Sequence, residues 1–397
     1  MRTFWMVCAL AALTGGALAD ETVADRIASR SFPSVYEAWG DAENLAGAAG
    51  PASKIAEAAA AQRDLVFVTF NALGLRPATP RTALSVSFNP KSVETARARR
   101  ARIQALNPHF IALASISYRN VRGDWLPEDS PFWLRDAAGE RVHTGSAMRG
   151  NQFFLDYRKP ETQAAIAAHC KALIATGVFD GCMFDWWNEN LADDPIDPNG
   201  EFRTQLIAKV RAAVGESAIL VGNTNQNRPT KSGRYLNGLF MEGFGAPYFL
   251  SWRTAAADFA WAAVHLHKPA FTLLEGRPTA TQPRGDLARI REVTTLSLTM
   301  SNGYVLYADR NPGNIDLTQD WYPFWSARLG RPTEPPRHPN GAAVVRREFE
   351  HGSAVFNPPE GAPAEVKFKD ERVSAASGKR ARVFTVAPGD GDMFLRP

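Results

Sequence analysis

Acidic side chains close several apolar runs of this chain, and their positions are the first indication of chemistry. Asp185, Glu242, Glu275, Glu37 and Asp309 each end a run of strand length. If the runs are parallel strands of a barrel, these carboxylates meet at one rim. Like charges crowded there raise one pKa and leave another group ionised, as an acid and a nucleophile or base require. Glycoside hydrolysis is the reaction class that uses two such carboxylates and no cofactor.

Each of these carboxylates also has a structural interpretation. Aspartate caps helix N-termini readily, and an arginine such as Arg277 can form an ion pair with a neighbouring acid. That interpretation serves for one carboxylate, and it is weaker for five that converge on one rim.

The elements that position these side chains alternate along the sequence. Nearly continuous apolar runs predict buried parallel strands, and apolar residues three and four apart predict helices between them. Eight strands are predicted, at Ser34–Ala38, Leu65–Phe70, Ile111–Ser117, Gly181–Asp185, Ala218–Thr224, Leu236–Glu242, Pro269–Glu275 and Gly303–Asp309. Helices are predicted at Lys159–Thr176, Phe202–Val214, Thr254–His265 and Leu287–Met300. The pattern predicts an α/β fold, a (β/α)8 TIM barrel, and disfavours a doubly wound sheet because Trp39-Gly40-Asp41 is no dinucleotide-binding turn.

Strand alternation predicts which side chains enter the barrel. If Asp185 points inward, so does Met183, whereas Cys182 and Phe184 face the helices. The same alternation places Phe240 with Glu242, and Tyr307 with Asp309.

Two connections of the barrel depart from the common length. Residues Asn227–Tyr235 leave room for little more than one helical turn, so that helix is predicted to be vestigial. Residues Arg119–Arg158 form a long aromatic-rich connection, which we expect to build one wall of the barrel mouth.

The chain is predicted to have three parts. Residues 1–19 have the charged, apolar and small-residue pattern of a signal peptide cleaved after Ala19, so we expect export to the periplasm or medium. Residues 20–330 form the barrel, and 331–397 form a proline-rich linker and a small antiparallel β domain. Its strands are predicted at Ala342–Phe349, Gly352–Phe356, Ala364–Phe368 and Arg382–Val386. Export permits a disulfide between Cys170 and Cys182, which their spacing leaves open.

Charge and composition exclude several classes of partner. The chain has 45 Lys and Arg against 41 Asp and Glu with no basic run, which argues against nucleic acid. No apolar run after the signal segment approaches the length of a membrane span, and we expect a monomer. No metal site is predicted, because Asp193–Glu201 fails the EF-hand pattern and His265 and His267 have no third ligand nearby.

Two motifs carry a resemblance to a known group of enzymes. They are Leu155–Glu161 and Gly177–Glu189, and Phe132–Asp136 with Gly139 supports them. The chain resembles the TIM-barrel glycoside hydrolases called hypothetical glycosidases and, more loosely, the endo-α-1,4-polygalactosaminidases. The resemblance implies Asp185 as a catalytic carboxylate, as nucleophile or base, with Glu242 as acid. A rival pairing, from barrels of another clan, takes Glu189 and Glu275.

Aromatic and polar residues near these carboxylates are candidates for sugar contact. Trp186 and Trp187 follow Asp185, and Phe244, Tyr248 and Trp252 follow Glu242, where flat faces can stack on sugar rings. The full set of predicted substrate-binding residues is Glu37, Tyr118, Trp186, Trp187, Asn223, Asn225, Trp252, Tyr307 and Asp309. The expected partner is a carbohydrate, less an acidic polymer than a neutral one. The alternative function is a non-catalytic carbohydrate-binding protein on a glycosidase-like barrel.

Overall fold

The computed structural model describes most of the chain. The described residues are 21–39, 57–80, 82–145, 151–191, 194–225, 227–244, 251–278, 287–308, 321–338 and 343–397. The predicted signal segment, Tyr248 and Asp309 lie outside them.

The described residues contain fifteen strands and six complete α-helices. The strands are β1 (Tyr36–Ala38), β2 (Leu65–Val68), β3 (Ile111–Ile116), β4 (Asn120–Arg122), β5 (Gln152–Phe154), β6 (Gly181–Phe184), β7 (Ile219–Asn223), β8 (Gly238–Phe244), β9 (Phe271–Gly276), β10 (Tyr304–Tyr307), β11 (Val345–Phe349), β12 (Gly352–Asn357), β13 (Ala364–Ser374), β14 (Arg380–Val386) and β15 (Asp390–Leu395). The helices are α1 (Val23–Ser29), α2 (Pro90–Leu106), α3 (Pro160–Ala175), α4 (Glu201–Val214), α5 (Trp252–His265) and α6 (Leu287–Met300).

Eight parallel strands form the barrel. Their order is β1, β2, β3, β6, β7, β8, β9 and β10, so each strand pairs with the next barrel strand along the chain. A parallel bridge between Val35 and Val305 joins the first strand to the last. All eight predicted strands are thereby confirmed, and the TIM barrel with them.

Side chains alternate between the barrel interior and the helical layer. Met183 and Phe240 pack inside the barrel, whereas Cys182 and Phe184 pack in the outer layer, as predicted. On β10 the prediction was wrong, because Leu306 takes the interior position and Tyr307 packs outside.

The helical layer follows the predicted pattern. Each of the four predicted helices is present, with bounds within two residues of the prediction, and a 3-10 turn at Gly233–Tyr235 replaces a helix between β7 and β8. A disulfide joins Cys170 of α3 to Cys182 of β6, with Cα atoms 6.3 Å apart. This bond ties the outer helix to the strand that directly precedes Asp185.

The C-terminal residues form a separate antiparallel sheet in the order β11, β12, β15, β13 and β14. Four of these strands were predicted. The fifth, β15, was not, and it lies at the centre of the sheet. No helix of the described residues is long and apolar enough to cross a membrane.

Candidate active site

Three neighbouring side chains at the C-terminal ends of barrel strands form the core of the site. Asp185 follows β6, Asn223 ends β7 and Glu242 lies near the end of β8. Asn223 Nδ2 donates to Asp185 Oδ1 at 2.8 Å and to Glu242 Oε2 at 2.7 Å. The structure therefore brings together the two carboxylates that the sequence selected, with an amide between them.

The orientation of the Asn223 amide is fixed by a third hydrogen bond. Its Oδ1 accepts from the backbone N–H of Asn225 at 3.2 Å, which leaves both Nδ2 hydrogens for the carboxylates. Asp185 Oδ1 and Glu242 Oε2 both accept from the same nitrogen, at 2.8 and 2.7 Å. These two oxygens therefore lie within about 5.5 Å of each other. This upper limit lies nearer the short carboxyl spacing of retaining glycosidases than the longer spacing of inverting ones.

Glu242 has a second partner in Arg277. Arg277 Nη2 donates to Glu242 Oε1 at 2.6 Å, and Arg277 Nε donates to Glu275 Oε2 at 3.1 Å. The Glu242 side chain keeps 23% of its surface exposed, whereas that of Glu275 has none. Burial raises the pKa of Glu275 to about 7, Arg277 lowers it, and the charge of Glu242 raises it.

Trp186 and Trp187 have opposite environments. Trp186 is 39% exposed, has a positive φ of 55°, and its ring faces the Arg119 guanidinium at 5.3 Å. Trp187 is fully buried, and its Nε1 donates to Ser232 Oγ at 2.9 Å. Trp186 is therefore available for sugar contact. Trp187 belongs to the core, which corrects its prediction as a substrate-binding residue.

Tyr118 acts on the site from below its surface. It is buried, and burial raises its pKa to about 12. Its hydroxyl donates to the Trp186 carbonyl at 3.0 Å and accepts from Arg203 Nε at 3.3 Å. Arg203 and Arg119 both pair with Asp194, at 2.6 and 3.0 Å. Tyr118 lines the cleft beside Asp185, and its hydroxyl holds the Trp186 turn, so direct substrate binding by Tyr118 stays a prediction.

An open cleft of about 230 Å³ adjoins Asp185. The connection after β3 forms one wall of the cleft, as predicted, and three tryptophans line it. The lining side chains include Trp39, Trp125, Trp186, Arg119, Asn120 and Gln152. Flat aromatic faces beside amide groups are a surface suited to a sugar ring.

Four other predicted site residues lie away from this mouth. Glu189 is buried and accepts from the backbone N–H groups of Lys231 and Ser232, so the rival pairing with Glu275 loses one partner. Three predicted substrate contacts also have other neighbours. Glu37 pairs with Arg63 at 3.1 Å. Trp252 donates to Glu360, in the turn between β12 and β13, at 2.8 Å, and Tyr307 packs on Tyr322.

Asn225 lies beside the site. It adopts a φ of +50°, and its side-chain Oδ1 is buried without a hydrogen-bond partner in the described part of the chain. It therefore keeps its place among the candidates, chiefly through its bond to Asn223.

Two residues of the site were not predicted as functional. Arg277 follows Glu275 by two, so strand alternation places it on the same inward side, a signal that was available. Trp39 comes directly after strand β1, and Trp186 comes directly after Asp185 at the end of β6. Nothing in the sequence shows that both adopt a left-handed backbone, with φ of 56° and 55°.

Arg203 binds the two aspartates of the acidic segment that the structure describes. Asp194 and Asp197 are buried and accept from the Arg203 side chain. Within the described ranges no group of three or more potential ligands is arranged to hold a metal ion.

Several solved structures are similar to this protein in fold. A noncanonic maltogenic α-amylase, AmyB of Thermotoga neapolitana, superposes with a TM-score of 0.55 at 10% identity, over 91% of this chain and 96% of that one. Amy13B of Eubacterium rectale gives 0.55 at 10% identity, over 95% and 99%. An α-amylase of Malbranchea cinnamomea gives 0.52 at 12% identity, over 94% and 97%. At such low identity these likenesses show the fold alone.

The sequence itself identifies the family. No curated protein matches it. The family described as hypothetical glycosyl hydrolase family 15 matches residues 114–353, more than half of the chain, including β4 to β10 and both carboxylates of the site. The resemblance to the hypothetical TIM-barrel glycosidases is confirmed by this match, and the chain is a glycoside hydrolase that belongs to hypothetical glycosyl hydrolase family 15.

Proposed function

We propose that this protein is an exported glycoside hydrolase that cleaves a polysaccharide or oligosaccharide with Asp185 and Glu242. The observation that carries the proposal is the single amide of Asn223 bonded to both carboxylates. In the first step the Asp185 carboxylate attacks the anomeric carbon, the glycosidic C–O bond breaks, and the leaving oxygen takes the proton of Glu242. Water then gives its proton to Glu242 and its oxygen to the anomeric carbon, and Asp185 is released.

Export rests on the N-terminal sequence and on the cysteines. Arg2, the apolar stretch Phe4–Leu13 and the small residues ending at Ala19 fit a signal peptide. The Cys170–Cys182 disulfide suits an oxidising compartment. Both observations support a periplasmic or secreted enzyme.

Substitution of the two carboxylates tests the proposed chemistry. We expect Asp185→Asn and Glu242→Gln each to reduce turnover at least about 100-fold, because each removes a group that forms or breaks a bond. Turnover is measured as reducing ends released from soluble starch, β-1,4-galactan, a galactosamine polymer and polygalacturonate.

Glu348→Gln is the matched control. Glu348 is a partly buried glutamate that accepts from Arg346 at 2.6 Å in the C-terminal sheet, much as Glu242 accepts from Arg277. The Glu348→Gln variant should turn over substrate at the wild-type rate. Near wild-type rates in either Asp185→Asn or Glu242→Gln would reject the assignment. Binding of a glycan that survives long incubation with the wild type would support the carbohydrate-binding alternative.

The close carboxylates also predict the stereochemical outcome. Inverting enzymes need about 6.5–9.5 Å between carboxyl groups to admit a water molecule. Because the nearest oxygens of Asp185 and Glu242 lie within about 5.5 Å, we expect retention through a covalent intermediate on Asp185. ¹H NMR of the first product formed, before mutarotation, should show the anomeric configuration of the substrate. An inverted first product would contradict this.

A further inference from the structure

Glu275 lies beneath the proposed catalytic pair and is tied to Glu242 in two ways. The first is Arg277, which donates to both carboxylates. The second is the backbone, since the N–H of Gly243, the residue after Glu242, donates to Glu275 Oε2 at 2.8 Å. The fully buried Glu275 carboxylate therefore contacts both the cation and the backbone that hold Glu242.

The backbone at Glu242 is irregular, and Glu275 stabilises the irregularity. The register of β8 against β9 shifts between Met241 and Phe244, and Gly243 has a φ of +80°. Such bulges re-aim side chains next to active sites. The hydrogen bond from Gly243 to Glu275 holds the bulge in the form that directs Glu242 toward Asn223.

We propose that Glu275 is a positioning residue for the hydrolysis: it fixes the place of the Glu242 carboxylate through Arg277 and the Gly243 N–H, and its own charge decides how far Arg277 is shared with Glu242. This inference rests on the proposed function, because it assumes that Glu242 is the acid. Glu275 itself is screened from the cleft and does not touch the substrate.

The charges around Glu275 give the direction of the effect. In the described part of the chain, the groups that act on it are Arg277 from its own strand, Glu242 from β8 and the buried Tyr36 from β1. When ionised, Glu275 competes with Glu242 for Arg277 and adds negative charge beside it. When Glu275 is protonated, it no longer competes, and Arg277 pairs with Glu242 alone.

Burial raises the pKa of Glu275 to about 7, so it changes charge near neutral pH. Above that pH its negative charge and its share of Arg277 act on the proposed acid, so we expect Glu275 to extend the alkaline limb of the activity profile. Below that pH Glu275 is protonated and uncharged, so a glutamine at the same position is electrostatically equivalent to it.

The test is the pH dependence of kcat/KM for Glu275→Gln on the polysaccharide that the wild type cleaves fastest in the panel. Glutamine keeps the size and an acceptor for the Gly243 N–H, but it carries no charge. We expect the profile to coincide with the wild type below pH about 6 and its alkaline limb to move to lower pH by about one unit. Arg277→Gln, which removes the cation instead, should move the same limb to higher pH, and it serves if Glu275→Gln does not fold.

Asp392→Asn is the control for loss of a buried carboxyl. Asp392 lies in the C-terminal sheet, bonded to Ser374, and burial raises its pKa also. Its profile should match the wild type. An alkaline limb of Glu275→Gln that coincides with the wild type, or an equal shift in Asp392→Asn, would overturn the role of Glu275. Full activity in Glu242→Gln would instead reject the proposed function, so the two failures are distinguishable.

Discussion

A neutral amide is the group that sets the distance between the two proposed catalytic carboxylates. Asn223 can donate two hydrogen bonds at once, and it uses one for Asp185 and one for Glu242. An aspartate of similar shape would add a third negative charge and has no hydrogens to donate when ionised. An arginine at this position would add a positive charge between the two groups. The amide therefore holds the two carboxyl groups close together without adding a charge of its own.

Trp186 carries the prediction on substrate affinity. Its positive φ costs free energy, and a residue in such a conformation at a site points to function rather than stability. We expect Trp186→Gly to raise KM about 10-fold through loss of the stacking face. The Tm should change little, because glycine adopts this backbone without strain and so offsets the lost packing. Steady-state kinetics and thermal melts of the same preparation measure both.

Trp187→Ala is the contrasting variant. Trp187 is fully buried and bonded to Ser232, so its truncation should cost about 3–5 kcal/mol and lower the Tm strongly. If Trp186→Gly left KM unchanged while its Tm fell, Trp186 would be a packing residue like its neighbour.

The strands and helices of the barrel could be predicted because their signal is local. Buried parallel strands are continuous apolar runs, and the acid that ends a run marks the end of the strand that faces the mouth, as at Asp185 and Glu242. Both residues point inward together with Met183 and Phe240.

The same continuity explains where prediction failed. A run that is apolar on both faces does not show which face is inward. For the short strand β1, the prediction that Glu37 lies at the mouth was therefore wrong. In the structure Tyr36 and Ala38 face the interior, and Glu37 pairs with Arg63 outside.

The prediction that Trp252 binds substrate was wrong for another reason, because its partner Glu360 lies more than a hundred residues later along the chain. Long-range contacts of this kind leave no local pattern.

The helix α6 lies between the barrel and the C-terminal sheet, and it joins the two into one packed structure. Ten of its fourteen residues are buried, although its sequence is only moderately apolar. On the side of the sheet, Arg291 pairs with Asp390 at 2.7 Å. Arg347 of the sheet donates to the Ser301 carbonyl just after the helix at 2.6 Å. The sheet therefore covers a surface of α6 that the barrel alone would leave exposed. The last barrel strand, β10, follows α6 along the chain.

Gly391 of β15 packs tightly against Thr295 of α6, and it provides a test of this packing. A Cβ atom at Gly391 would lie 1.9 Å from Thr295 Oγ1, so a side chain there must push the sheet from the helix. We expect Gly391→Val to cost about 1–3 kcal/mol and to lower the Tm by several degrees, with turnover per folded molecule unchanged because the mouth is built from other elements. Lys369→Val, on an exposed position of the same sheet, should leave the Tm near the wild type. Equal melting of the two variants would show that the barrel is stable without close contact to the sheet.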